Sequence, residues 1–178
     1  MPTPRVPARV AWAVSQLSVE PSDHLLEIGC GPGHAVRLIC PHLSTGTITA
    51  IVRSALQVSR ARAGNARCLE DGRARIEHLA LAAATATLAR RFDTVFAINV
   101  NAFWTEPAAS LPTLWRLTAR RGHAYLVYEP PSAAGVRALE TRLRKLCQSA
   151  GFIVADVRIE ALGATRGLCV VLTQAPSS

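Results

Sequence analysis

The stretch that most constrains the fold is His24-Leu25-Leu26-Glu27-Ile28-Gly29-Cys30-Gly31-Pro32-Gly33-His34. An apolar strand pattern at residues 25–28 runs into a turn with glycine at three alternate positions, and a helix pattern to about His42 follows. Glycine lets the backbone bend tightly and lets a ligand approach with no Cβ in the way. The start of the following helix offers unpaired N–H groups and the positive end of a dipole. Strand, glycine turn and helix in this order predict a nucleotide or cofactor loop.

The rest of the chain is readable around that loop. Val6, Val10, Ala13/Val14 and Leu17 fall at helical spacing and predict a packing helix in an N-terminal segment, residues 1–20. Pro21-Ser22-Asp23 is a turn. Residues 47–52 are rich in β-branched side chains and predict a second strand. Ser54 caps a helix over 55–63, which Gly64-Asn65 ends. Residues 75–79 predict a third strand, and the alanine-rich stretch 80–89 shows no clear period. A fourth strand spans 92–100, and a helix runs from Pro107 to about Ala119. Arg120-Arg121-Gly122 reads as a turn before a strand at 124–128, which Pro130-Pro131 stops. Val136, Leu139, Leu143 and Leu146 line one face of a helix over 133–150. Two last strands, 152–159 and 168–173, flank a loop at 163–167.

Strands alternating with helices imply right-handed βαβ units and a parallel sheet. The last two strands have no helix between them, so they pair as a hairpin and place one antiparallel member near the sheet edge. The expectation is one α/β domain over residues 21–174: a doubly wound, mostly parallel seven-stranded sheet with helices on both faces. Residues 175–178 are expected to fray.

Composition enters where partners and compartment are concerned. The 178 residues suffice for one sizeable core, and an apolar share of 49% suits a globular chain. No apolar run reaches transmembrane length, and the first residues lack a signal-peptide pattern. The cysteines, Cys30, Cys40, Cys68, Cys147 and Cys169, form no CxxC and no Cys/His ligand spacing. These features predict a reduced, cytoplasmic protein with no membrane partner and no structural zinc or other metal. The net charge is +8, and every basic residue but Lys145 is arginine. A nucleic-acid surface is one reading of that charge. The arginines, however, are spread along the chain (Arg5, Arg37, Arg60, Arg90, Arg142, Arg166), with short clusters at Arg73/Arg75 and Arg120/Arg121, and aromatics at 5% supply no stacking platform. The charge therefore reads as composition, with nucleic acid kept as a lesser option.

Ligands of an open α/β sheet sit beyond the carboxyl ends of its strands. Here those ends hold Gly29 to Gly33, Val52-Arg53, residues 79–82, 99–104 and Glu129. A dinucleotide loop wants G-x-G-x-x-G with an acid about 20 residues on. This chain has Gly29-x-Gly31-x-Gly33, with His34 where the third dinucleotide glycine would fall and Glu27 two residues ahead of the first glycine. That motif resembles the class I S-adenosylmethionine-dependent methyltransferases, as do Phe92-Asp93-Thr94-Val95-Phe96-Ala97-Ile98-Asn99 closing strand four and Gly122 before strand five. The resemblance covers roughly residues 20–174. It implies the strand order 3-2-1-4-5-7-6 with strand 7 antiparallel, and S-adenosylmethionine as cofactor.

The resemblance also implies site residues. Gly29, Cys30, Gly31 and Gly33 would pass the methionine part of the cofactor, and Glu27 would help fix its amino group. Asn99 and Asn101 stand where a polar residue after strand four lines the substrate pocket. An acid is expected at the end of strand two for the ribose hydroxyls, and Val52 stands there with Arg53 beside it. A polar residue is expected after strand three for the adenine amino group, and Leu81 stands there. No Asp or Glu lies between Glu27 and Glu70 to rescue the strand-two position. Glu129 and His34 are the candidates for a catalytic base. Phe103 and Trp104 read as packing rather than as pocket wall. Arg53 reads as a solvated strand-end residue rather than a partner for a 2′-phosphate.

The functional expectation is a methyltransferase that acts on a small-molecule acceptor by in-line transfer, with a homodimer or partner chain as an option. The alternative is a degenerate member of the fold that has lost cofactor binding and serves as a non-catalytic partner. A second alternative is an RNA methyltransferase.

Overall fold

The computed structural model describes residues 6–175. The sheet comprises β1 (His24–Ile28), β2 (Thr47–Val52), β3 (Ala74–His78), β4 (Phe92–Ile98), β5 (Thr118–Tyr128), β6 (Phe152–Leu162) and β7 (Thr165–Gln174). Around it lie α1 (Ala8–Gln16), α2 (His34–Ile39), α3 (Ala55–Gly64), α4 (Ala66–Glu70), α5 (Leu81–Thr87), α6 (Ala102–Thr105), α7 (Pro107–Leu117) and α8 (Ala133–Ser149). The strand order is β3-β2-β1-β4-β5-β7-β6. Neighbours are parallel except where β7 runs antiparallel to β5 and β6. Both the order and the terminal hairpin match the sequence expectation.

Alternation along each strand divides the core into two layers. Leu25, Ile48, Ala50, Ile76 and Phe96 face one side, where α1, α2 and α3 contribute Trp12, Val36, Ile39 and Val58. Leu26, Ile28, Ile51, Val95 and Ala97 face the other, against Leu111, Leu114 and Leu143 from α7 and α8. Strands covered on both faces read as continuous apolar runs, which is why residues 25–28 looked like a buried strand. Leu25 and Leu26 are fully buried, and each such side chain contributes roughly 1.5–3 kcal/mol. Trp12 lies flat against Gly167 of β7, where any Cβ would collide with the indole. That contact draws α1 onto the sheet.

The structure departs from the sequence reading in several places. The alanine-rich stretch holds α5, whose Ala84 is fully buried. Its short apolar side chains pack on α7, although they produce no visible stripe. Arg120-Arg121-Gly122 is not a turn: β5 begins at Thr118, and a register shift between Phe92 and Thr94 absorbs the extra residues. Gly122 is required there, because a Cβ would stand 2.6 Å from the Asp93 carbonyl. The hairpin loop shrinks to Gly163-Ala164, with Gly163 at φ +67°.

The cysteine expectation also needs correction. Cys40, which follows α2, forms a disulfide with Cys68 in α4, at a Cα separation of 6.4 Å. Scattered in the sequence, the two meet because α4, a helix without sequence signal, folds back beside the β2–β3 edge. Cys30, Cys147 and Cys169 are free and buried. Among the described residues no helix is long and apolar enough to cross a membrane. Arg5 and all but Ala175 of the expected tail lie outside the described residues.

Candidate cofactor and acceptor site

The glycine loop hooks onto the neighbouring strand. The Gly29 and Cys30 N–H groups both donate to the Ile51 carbonyl, at 2.8 and 3.2 Å. Gly29, Gly31 and Gly33 all lie at positive φ (76°, 50° and 77°), a region that L side chains avoid. Their surroundings differ. A Cβ on Gly29 would sit 2.6 Å from Val100 Cγ2, and one on Gly33 would sit 2.6 Å from Asn65 Nδ2. A Cβ on Gly31 would meet nothing within 4 Å. The outer glycines are thus demanded by packing, and the middle one opens onto free space. Asn65 fixes the loop from behind, its Nδ2 donating to the Gly33 carbonyl at 3.1 Å and to the Ala61 carbonyl at 2.8 Å. The sequence showed Asn65 only as the end of a helix.

Glu27 lies at the foot of this loop and is 3% exposed. Its Oε2 has no hydrogen-bond partner. Burial raises the carboxyl pKa to about 8. The neighbouring Cys30 thiol is pushed up to about 12, by burial and by Glu27. An acid of this kind is held neutral until a cation or a donor reaches it.

A cleft of about 600 Å³ opens beside the loop, over the ends of β1, β2 and β4. Gly29, Val52, Arg53, Leu81 and Asn99 all line it, as does Asn101. The candidate cofactor residues therefore divide into two groups: these five on the cleft wall, and Glu27, Cys30, Gly31 and Gly33, which build the loop and its support. Asn99 is the one described non-glycine residue at positive φ, 55°. Its Oδ1 accepts from the Glu129 N–H at 2.9 Å and so ties the end of β4 to the end of β5. Phe103 is fully buried, and Trp104 lies under the Arg142 guanidinium at 5.4 Å. Both are packing residues. The opposite wall comes from α6 and the start of α7 and includes Glu106, a residue that sequence reasoning passed over.

His34 and Glu129 are not among the residues that line the cleft, and Arg9 of α1 is a positive charge near each of them. Arg9 stands 3.9 Å from Glu129, whose Oε1 accepts the Thr165 hydroxyl at 2.5 Å. Burial, with Arg37 and Arg9 nearby, lowers the His34 pKa. The Arg37 guanidinium lies 3.1 Å from His34 Nδ1. As Arg37 can only donate, Nδ1 accepts, and the neutral ring carries its proton on Nε2. His34 thus presents an N–H donor, and Glu129 is a carboxylate held in place. Neither Arg9 nor Thr165 carried a sequence signal, since only the tertiary fold brings α1 and the β6–β7 turn to β5.

A family model described as a methyltransferase domain matches residues 26–124, over half of the chain, from β1 through the glycine loop into β5. The chain belongs to this methyltransferase family. Solved structures of similar fold include the cyclase SpnF, with a TM-score of 0.74 at 14% identity, covering 93% of this chain and 79% of that one. Magnesium protoporphyrin IX methyltransferase from Synechocystis PCC 6803, solved with bound SAM, gives 0.67 at 20% identity, covering 93% and 76%. Geranyl diphosphate methyltransferase, in complex with geranyl diphosphate and sinefungin, gives 0.72 at 11% identity, covering 94% and 78%. At these identities the likeness is one of fold. No curated protein matches the sequence.

Proposed function

We propose that the chain is an S-adenosylmethionine-dependent methyltransferase acting on a small-molecule acceptor. The carrying observation is Glu27: a buried carboxyl with an orphaned oxygen, at the foot of a loop whose central glycine opens onto free space. The methionine end of the cofactor brings an ammonium and a sulfonium, the partners such a group lacks. The long cleft beside the loop suits the nucleoside. When bound, the cofactor supplies an activated methyl group for in-line displacement by the acceptor.

The chain's own residues do the remaining work. Gly29 and Gly33 hold the loop close to β2 and α3, and Gly31 leaves the approach open. Glu27 holds the cationic end. His34 offers its Nε2–H to orient an acceptor, and Arg9 and Thr165 hold the Glu129 side chain in place. Alignment supplies much of the rate in such a displacement, so a strong base is not required. A small acceptor is also consistent with two of these neighbours, which act on magnesium protoporphyrin IX and geranyl diphosphate. A cytoplasmic location belongs to the same proposal, and it would put the Cys40–Cys68 pair in a reducing compartment.

The second reading, a fold member that binds no cofactor and acts as a non-catalytic partner, is favoured by the apolar Val52 and Leu81 on the cleft wall. Calorimetric titration with S-adenosylmethionine and S-adenosylhomocysteine separates the two. Saturable heat at micromolar to millimolar ligand is expected, and its absence at millimolar ligand would sink the enzyme reading.

A further inference from the structure

The helix that follows the glycine loop, α2, has six residues, too few to hold its place by its own hydrogen bonds. Its two ends are held from outside. At the front, the carbonyl of its N-cap Gly33 accepts from Asn65 Nδ2 at 3.1 Å. At the back, its C-cap Cys40 is joined to Cys68 by the disulfide. Asn65 and Cys68 belong to one small element, since Asn65 is the N-cap of α4 and Cys68 lies within it. Both ends of α2 are thus tied to a single turn of chain. That turn has little hold of its own, because none of the five residues of α4 is fully buried.

Arg73 spans the two cysteines through the backbone. Its N–H donates to the Cys68 carbonyl at 3.1 Å, and its guanidinium donates to the Cys40 carbonyl at 3.2 Å. These bonds do not depend on the sulfur atoms, so they keep the two cysteines beside each other when the S–S bond is open and let it form again. Cys40 is fully buried and Cys68 only partly. An incoming thiolate therefore reaches the Cys68 sulfur first.

We propose that the Cys40–Cys68 disulfide is a redox-sensitive clamp on the glycine loop, raising cofactor affinity when closed and lowering it when opened. The inference rests on the methyltransferase reading. Opening is thiol–disulfide exchange with a dithiol. One thiolate of the dithiol attacks the Cys68 sulfur, the S–S bond breaks, and Cys40 leaves with the bonding electrons and takes up a proton. The second thiol of the dithiol then displaces Cys68, which is protonated in turn. The dithiol ends as its own disulfide, having given up two electrons and two protons. The proposed cytoplasmic location supplies thiol reductants of that class. Once the clamp opens, α4 shifts and Asn65 with it. The glycine loop then spends part of its time away from the ligand-ready form, and apparent affinity falls by that fraction. Glu27 belongs to β1 and is no part of the clamp, so the change is one of affinity and not of the groups that meet the ligand.

The test titrates oxidised wild type, wild type reduced with dithiothreitol, Cys68→Ser and Asn65→Ala with S-adenosylhomocysteine, each well below its melting temperature. Reduction should weaken binding about fivefold or more, the usual scale of coupling between linked sites. Cys68→Ser should match reduced wild type and ignore the dithiol, which excludes Cys30, Cys147 and Cys169 as the source. Asn65→Ala should bind weakly in both states. Coupling is reciprocal, so saturating ligand should raise the dithiol ratio needed to open the disulfide by the same factor. A disulfide that only stabilises the fold leaves that ratio unmoved. Equal affinity in the oxidised, reduced and Cys68→Ser proteins overturns the clamp, and full redox dependence in Asn65→Ala overturns the link through Asn65. Oxidised wild type that binds no ligand brings down the methyltransferase reading instead. The clamp then has its own readout: amide hydrogen exchange over residues 33–40 of the free protein should quicken on reduction, and unchanged exchange overturns it.

Discussion

At the glycine-loop end of the cleft, Glu27, Gly29, Cys30, Gly31 and Gly33 come from one short run of chain, braced by the Ile51 carbonyl and the Asn65 amide. Elsewhere along the cleft, where the proposed function puts the nucleoside end of the cofactor, Val52, Arg53, Leu81 and Glu106 come from separate connections. The first end turns on three glycines at positive φ and has a buried carboxyl short of one hydrogen-bond partner. The second is open, and Glu106 is the one acid among its described lining residues. A ligand spanning both would draw cation recognition from one and base recognition from the other. The two ends should therefore respond differently to substitution, pH and covalent constraint.

The largest expected effect is at the middle glycine. Gly31→Arg puts a long side chain into the space that a ligand would use, while a Cβ at that point touches nothing. The variant should fold, at a cost of roughly 1–2 kcal/mol for an L residue at φ +50°, and should show no detectable heat with S-adenosylhomocysteine. Gly33→Val should instead lower the melting temperature strongly, because its side chain would be driven into Asn65 and Ala61. Equal binding by Gly31→Arg and wild type would move the ligand away from the loop.

Glu27 gives the next largest effect, and it is one of pH. Its folded pKa, raised by burial to about 8, lies above the ordinary glutamate value of 4.5. The folded state therefore holds the proton more tightly than the unfolded state. The stability that this neutral acid contributes is present in full below about pH 4.5, falls as pH rises toward 8 and is flat above that. The total change is on the order of 5 kcal/mol as an upper bound. Glu27→Gln should remove this slope from denaturant unfolding measured between pH 5 and 9. A cationic ligand favours the carboxylate, so binding to wild type at pH 7 should release up to about one proton, and binding to Glu27→Gln none. Calorimetry in buffers of different ionisation enthalpy reads that difference. The nucleoside end holds no buried acid and should contribute no proton release.

The contrast between the two ends also marks what could be read from the chain. The loop was legible because its chemistry is local: a buried strand, glycines at alternate positions and a helix start follow one another without interruption. The sheet order followed from alternation and from a resemblance carried by the same motif. The far end was legible only as a loss, Val52 where an acid was expected and Leu81 where a polar residue was. Glu106, the one acid that lines the cleft among the described residues, lies some way beyond β4 in a connection whose first short helix left no pattern. Arg9 and Thr165 were silent for the same reason, since their meeting at Glu129 depends on how α1 and the β6–β7 turn close over β5. The disulfide escaped because α4 escaped. Tertiary contacts between distant connections leave no periodicity behind them.

That disulfide closes a loop that contains β2 and α3, and so the floor of the nucleoside end. The sequence separation is 28, and constraint of an unfolded loop of that size is worth about 3.5 kcal/mol. Reduction, or Cys68→Ser, should lower stability toward that amount in equilibrium unfolding. The glycine loop lies outside the closed segment, so Glu27-linked proton release should survive reduction. If reduction abolished that proton release, the two ends would be one cooperative unit rather than two.

Asn99 offers the smallest and sharpest test, because it lines the cleft and also braces it. Its φ of 55° favours Asn or Gly, and its Oδ1 accepts the Glu129 N–H. Asn99→Gly keeps the backbone conformation and loses the side-chain bond, which should cost about 0.5–1.5 kcal/mol. Asn99→Ala loses the same bond and adds the penalty of an L residue in the left-handed region, a further 1 kcal/mol or so. The difference between the two variants in urea unfolding isolates the backbone term. Their shared loss is that of the tie between the end of β4 and Glu129 at the end of β5. An equal loss in the two variants would show that the left-handed backbone at residue 99 costs nothing there.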